Sequence, residues 1–167
     1  MDIIFKQIHI EDKNKVLLLF KEAAEKIAKK NVDHWQYWKN PPQEKIQWVE
    51  EGIQNDEFFF VEDSHKQNIG MLRILEEDMM YWGKQNEKAK YIHSLVVIER
   101  LEGRGIGKAI LQKVEIEAKK EGYKFLRLDS DAKNPRLCNY YEQQGFRKVG
   151  TKTLPISTYN LYQKELV

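Results

Sequence analysis

The sequence predicts an α/β (α+β) domain on a mixed central sheet of about seven strands, and three observations carry that prediction. Three β-prone runs follow one another without an intervening helix, at Phe58–Val61, Ile69–Leu75 and Ala89–Ile98. The amphipathic segment Gly105–Glu121 then separates the last of them from a strand at Tyr123–Leu128, a succession that lays its two strands parallel. Finally, 167 residues of which 41% are hydrophobic suffice for one core, so residues 1–167 are expected to form a single domain.

The elements follow in order. Ile3–Ile8 is short, apolar and β-branched, a strand. Glu11 and Asp12 offer an acidic N-cap to a helix that buries Val16, Phe20, Ala23, Ala24 and Ile27. Trp35, Tyr37 and Trp38 crowd into a loop ending at Asn40-Pro41-Pro42, and Pro42, whose missing N–H costs nothing at a helix start, opens a short helix using Ile46, Val49 and Ile53. The polar stretch Asp63–Asn68 joins the first two central runs as an antiparallel hairpin.

The clearest helix carries Ile106, Ile110, Val114 and Ala118 four apart and stops at Gly122. Pro135–Gln144 reads as a helix closed by Gly145, with strands at Phe146–Val149 and Tyr159–Glu165. The order is therefore β-α-α-β-β-β-α-β-α-β-β, antiparallel early and parallel across the Gly105 helix.

Composition removes several classes of function. Lys and Arg total 28 against 26 Asp and Glu, interspersed, so no basic face is set aside for nucleic acid. No apolar run reaches the roughly 20 residues of a bilayer span. The first residues lack the apolar core of a signal peptide and Cys138 has no internal disulfide partner, which together imply a cytoplasmic protein. Four histidines at 9, 34, 65 and 93 give no metal-site spacing, so no metal is expected.

Glu102-Gly103-Arg104-Gly105-Ile106-Gly107-Lys108 follows a strand and opens the best helix. Free backbone N–H groups converge there at the positive end of the helix dipole, where phosphate oxygens bind, and glycines let the anion approach the backbone. A Walker A loop fails, because Lys108 is followed by Ala109 and Glu102 stands where its first Gly should be. A dinucleotide fingerprint is weakened by Ile110 in place of the third Gly, although Asp129 lies a suitable distance downstream for a ribose contact.

Tyr91–Val97, then Gly103-Arg104-Gly105-Ile106-Gly107, Leu126-Arg127-Leu128-Asp129, Asn134 and Tyr140-Tyr141-Glu142-Gln143-Gln144-Gly145-Phe146 resemble the GNAT superfamily of N-acetyltransferases in order and spacing. The resemblance covers Tyr91–Phe146 and implies helices on both faces of a sheet that splays between its fourth and fifth strands. It implies acetyl-CoA as cofactor, its diphosphate on Gly103, Arg104, Gly105, Ile106, Gly107 and Lys108, and its pantetheine arm along Leu95, Val96 and Val97 with Tyr141 and with Asn134, which either bonds the arm or caps the Pro135 helix it precedes. The family usually places Gln or Arg where this chain has Glu102; that side chain is expected to turn outward.

The implied reaction moves the acetyl group to a primary amine, on a small molecule or a peptide N-terminus or lysine, by direct attack in a ternary complex. An amine of pKa about 10.4 must lose a proton, and the departing thiolate must gain one. Tyr141 matches the family tyrosine that donates to the sulfur, and a main-chain N–H of Leu95–Val97 is the natural oxyanion donor. For the base, Glu77 in the run Glu76-Glu77-Asp78 and His93 on the cofactor strand are both open, as is action through a water. Cys138 lies within an amphipathic helix with no His after it in the chain, and reads as a small buried residue.

The acceptor wall is expected from Asp33–Asn40 and Asp78–Gly83, with Trp35, Trp38, Tyr81 and Trp82 as aromatic surface and Asp33 or Asp78 holding a cationic amine. Two other classes stay open: an acyl-CoA sensor without turnover and a nucleotide-dependent oxidoreductase. A homodimer stays open as well.

Overall fold

The computed structural model describes residues 1–167, the side chain of Glu99 excepted. The strands are β1 (Ile4–Gln7), β2 (Phe58–Glu62), β3 (Asn68–Leu75), β4 (Ala89–Val97), β5 (Phe125–Asp131), β6 (Arg147–Thr153) and β7 (Thr158–Glu165). The helices are α1 (Lys13–Ala28), α2 (Gln43–Gln54), α3 (Ile106–Lys120) and α4 (Pro135–Gln143), so the order along the chain is the one expected from the sequence. The strands form one mixed sheet in the order β1-β2-β3-β4-β5-β7-β6. By their internal contacts the residues group into two units, Met1–Arg73 with Ser94–Ile110, and Ile74–His93 with Leu111–Val167.

In the first unit β2 pairs antiparallel with both β1 and β3. Val16, Leu19, Phe20, Ala23 and Ala24 recur at helical spacing, so α1 turns one apolar face inward. Asp12 precedes α1 as expected, but its carboxylate accepts the N–H of His9 rather than capping the helix. Pro42 stands just outside α2, its carbonyl accepting the N–H groups of Lys45 and Ile46.

One expected acceptor residue belongs to this interior. Trp38 is buried, stacked on Phe20 with ring centroids 3.9 Å apart and an angle of 7° between planes, and it also packs against Trp48. The expectation that Trp38 lines an acceptor wall is therefore not met, because the stack buries its ring in the core. Trp35 is half-buried, its ring edge-on to Phe20 at 5.6 Å and stacked on His34.

Arg73, also buried, donates to Glu57 at 2.6 Å and lies over the Trp48 ring. The pair satisfies a charge that would otherwise be costly to take from water.

In the second unit β4 runs parallel to β5 through Ala89↔Phe125, Lys90↔Leu126 and Tyr91↔Arg127, and the register ends there although both strands continue. β5 pairs antiparallel with β7 along its whole length, and β7 with β6. Tyr123 was expected to begin β5; its N–H instead closes the end of α3 on Ala118 carbonyl, past Gly122 at φ 83°, and the strand starts at Phe125.

The edge strand β6 is exposed on nearly every residue and carries Arg147, Lys148 and Lys152, charges that discourage pairing with another sheet. Among the described residues no helix is long and apolar enough to cross a membrane.

Candidate active site

In the first unit the turn into α3 is built on left-handed glycine backbone. Gly103 and Gly105 take φ values of 78° and 74°, and nothing stands within 4 Å of where a β-carbon would project from either. Left-handed backbone is costly for other residues, so these positions need glycine for their conformation and leave the space above the turn open. The Gly105 carbonyl accepts the Ala109 N–H at 3.0 Å, which starts the helix and leaves the first amides of α3 for another acceptor. Ile106 is buried and anchors the turn, while Arg104 and Lys108 are exposed beside it and Gly107 is half-buried.

Glu102 is exposed, as expected, and the sequence did not show what holds it. Its Oε1 lies 2.9 Å from Lys30 Nζ and 3.9 Å from Lys26 Nζ, both on α1. Lys26 Nζ also donates to the Val97 carbonyl at 3.3 Å, so one of the main-chain acceptors expected for the pantetheine arm already has a partner. Val96 is buried with its carbonyl tight against Gly70, where an added β-carbon would come within 2.3 Å of the oxygen. Leu95 is half-buried. Ser94, just before it, is a non-glycine residue at φ 57°, a kink that interrupts the regular pleat of β4.

The second unit gathers three residues that are far apart in sequence. His93 of β4 places Nε2 2.6 Å from Asp78 Oδ2 and Nδ1 3.7 Å from Asp129 Oδ2. Asp78 is fixed by the turn it starts: Oδ1 accepts the Tyr81 N–H and the Asp78 carbonyl accepts the Trp82 N–H. Asp129 comes from β5, two residues beyond the last register pair with β4. All three are nearly withdrawn from solvent, with side-chain exposures of 13% for His93, 6% for Asp78 and 10% for Asp129.

Asp129 Oδ2 is buried and makes no hydrogen bond. Burial pushes this carboxyl up to about 6; the His93 charge pulls it down, and the charges of Asp78 and Asp131 push it further up. Its position beside His93 argues against the ribose contact that its place in the sequence allowed. The trio contains donor types that a divalent cation uses, its ligand atoms within 4.8 Å of one another. At 2.6 Å, however, Asp78 and His93 are already in hydrogen-bonding contact, with no gap for an ion between them, and the arrangement is one for sharing protons.

Of the two bases left open by the sequence, the structure separates them clearly. Glu77 is exposed, whereas His93 has a carboxylate on each side. Neighbouring Glu76 is engaged by the Tyr123 hydroxyl and by Lys90. Asp78, expected to face an acceptor amine, is instead the buried partner of His93. Trp82 is half-buried, its ring 4.9 Å from the Arg127 guanidinium and 5.8 Å from the Tyr91 ring, and its indole N–H is buried without a partner.

Tyr141 of α4 is buried among Tyr140, Phe146 and Tyr162. Burial holds its phenol far above the ordinary range, and the nearby charges of Tyr140, Asp129 and Cys138 add to this, so the group stays protonated. Asn134 caps α4 by accepting the Leu137 N–H at 3.1 Å, which uses its oxygen and not its amide donors. Cys138 is buried, as expected, within reach of Ser130 and Asn160.

The Asp78–His93–Asp129 grouping was not legible in the sequence. Its members lie on separate elements: Asp78 in the turn after β3, His93 on β4 and Asp129 on β5.

Comparison with known proteins agrees with the fold. A chain solved as an acetyltransferase of the GNAT family from Listeria monocytogenes 4b F2365 superposes with a TM-score of 0.80 at 22% identity, covering 98% of this chain and 95% of that one. The spermidine N-acetyltransferase of Vibrio cholerae, solved with CoA and spermine, gives 0.67 at 14% identity over 98% and 95%. An uncharacterised N-acetyltransferase of Bacillus subtilis (strain 168), YesJ, is 30% identical over 112 residues, 65% of this chain and 61% of that relative's length. The model of the Acetyltransferase (GNAT) family matches residues 24–146, from within α1 to the end of the α4 turn, and the chain belongs to that family.

Proposed function

We propose that the protein transfers the acetyl group of acetyl-CoA to a primary amine, on a small molecule or on a peptide N-terminus or lysine. The observation that carries this reading is the turn at Gly103 and Gly105, whose left-handed backbone and open upper face fit a diphosphate at the start of α3. Main-chain amides of Gly103–Lys108 would hold the diphosphate, with Arg104 and Lys108 adding charge. Leu95–Val97 would hold the pantetheine arm, and acetyl-CoA, when bound, supplies the activated thioester.

The remaining chemistry falls to the chain's own groups. His93, oriented by its hydrogen bond to Asp78, takes the proton from the acceptor's ammonium group and so exposes the nitrogen lone pair. Tyr141, held protonated but made a weak acid by burial, gives its hydroxyl proton to the leaving sulfur as thiolate charge develops there. A main-chain N–H after the Ser94 kink holds the carbonyl oxygen as charge builds on it. The carboxyls of Asp78 and Asp129 make the surroundings of His93 favourable to a cation, and the Vibrio enzyme of similar fold, solved with spermine, makes polyamines the first acceptors to try.

The test is thiol release from acetyl-CoA over a panel of spermine, spermidine, lysine and short peptides with free N-termini. Release that depends on the amine, with a mass gain of one acetyl group on it, supports the reading. Binding of acetyl-CoA without release from any amine would favour a sensor, and binding of NAD(P) in place of acetyl-CoA would favour an oxidoreductase.

A further inference from the structure

We propose that Asp129 is a positioning residue for the base, holding His93 between two carboxyl groups and taking a share of the proton that His93 removes from the acceptor. This rests on the reading of His93 as the base of amine acetylation. Four observations within the second unit support it.

First, the imidazole is flanked on both sides. Nε2 meets Asp78 Oδ2 at 2.6 Å, a hydrogen bond, and Nδ1 faces Asp129 Oδ2 at 3.7 Å, close enough for strong attraction once the ring is charged. Second, Asp129 Oδ2 is buried and makes no hydrogen bond, which is expensive for a carboxylate, and the His93 ring is the cation-forming group beside it. Third, Asp78 is held by its turn whereas Asp129 is held only through the backbone of β5, so the two carboxyls are not equivalent: one orients the ring and the other is left to exchange protons. Fourth, burial pushes the Asp129 carboxyl up to about 6, close to an imidazole's ordinary range, so the two groups hold a proton on similar terms.

The proton balance is simple. The acceptor's ammonium loses two protons in becoming an amide: the first passes to the Asp129–His93–Asp78 group and from there to solvent, and the second, released from the nitrogen once it has bonded to the acetyl carbon, restores on the phenol the proton that Tyr141 places on sulfur. The groups that face Asp129 are His93 on β4, Asp78 in the turn after β3, Asp131 on β5 itself, Tyr141 on α4 and Tyr159 on β7. The charge on Asp129 makes Tyr141 harder to ionise, so a proton arriving on Asp129 makes Tyr141 a better acid at the stage when the sulfur needs its proton.

The test compares the full chain with its Asp129→Asn and Asp129→Glu variants by two readouts. The ring signals of His93 are followed by NMR against pH in protein alone. The rate of acetyl transfer to the best amine is followed over the same pH range.

Replacing Asp129 by Asn is expected to lower the His93 midpoint by about one pH unit, the scale on which a neighbouring opposite charge acts. The acid limb of kcat/KM should move the same way, kcat at neutral pH should fall about tenfold, and KM for acetyl-CoA should stay unchanged. Asp129→Glu should restore part of the rate. An unaltered His93 midpoint and acid limb in Asp129→Asn, in an active wild-type enzyme, would overturn this proposal alone; a wild-type protein that acetylates no amine would overturn the enzymatic reading and this proposal with it.

Discussion

Lys30 Nζ stands 2.9 Å from Glu102 Oε1 and so ties the carboxylate that opens the glycine turn to helix α1. With Lys26 3.9 Å from the same oxygen, the negative charge that precedes the glycine turn is met by two lysines within the first unit. Glu102 is nonetheless 43% exposed on its side chain, where water screens much of any such effect.

Glu102→Gln should therefore strengthen coenzyme A binding only modestly, by about two- to fivefold at low salt, because it removes one screened negative charge and frees two lysines. Lys30→Ala should act in the opposite direction. Titration calorimetry at two salt concentrations checks this, with the difference between variants shrinking as salt rises.

Gly105→Val should abolish tight binding without unfolding the chain. A non-glycine residue at φ 74° costs roughly 1–2 kcal/mol and more when β-branched, so the turn reshapes and its amides lose their convergence. The far-ultraviolet circular dichroism spectrum should stay the same while affinity for coenzyme A falls.

Tyr141→Phe keeps the buried ring and its packing on Phe146 and Tyr162 but removes the hydroxyl. Coenzyme A affinity should be unchanged and kcat should drop by about 100- to 10,000-fold, the usual range for losing a positioned acid. Single-turnover measurements separate the two quantities.

Asp129 also bears on stability. Its carboxyl is at about 6 when folded and at 3.8 ordinarily, so the folded protein binds the extra proton between those values. Stability from this group is fully present below pH 3.8 and is lost as pH rises through about 6. Asp129→Asn removes that loss and should raise stability at pH 7–8 by up to about 3 kcal/mol, while flattening the dependence between about pH 4 and 6. Chemical denaturation at several pH values reads both effects, and a variant that is more stable yet slower is the expected cost of a functional buried carboxyl.

Trp38→Ala tests the revised place of that residue. Loss of a ring stacked on Phe20 in the core should destabilise the chain by about 3–5 kcal/mol and leave the ranking of amine acceptors unchanged.

The parts of this protein that are local in sequence were legible there. The Gly103–Gly107 turn, the four-residue spacing from Ile106 to Ala118 and the Asn134 cap each declare themselves within one stretch of chain, because turn chemistry and helical periodicity act over a few residues. Trp38 misled for the opposite reason: a cluster of aromatics before two prolines looks like an exposed loop until the α1 face it covers is known. Asp129 and Asp78 could not be joined to His93 from the sequence, since a parallel crossover and a turn, each with its own geometry, bring them together. Glu102 showed its departure from the family pattern, but not the α1 lysines that answer it, 72 residues away for Lys30.

The most direct test of the central claim is calorimetric titration of the wild-type protein with coenzyme A and, in parallel, with pantetheine, which lacks the diphosphate. If the glycine turn grips the diphosphate, coenzyme A binds with measurable heat at one site and pantetheine binds far more weakly. No heat with coenzyme A, or equal affinity for the two compounds, would contradict the assignment of Gly103–Lys108 as the diphosphate cradle.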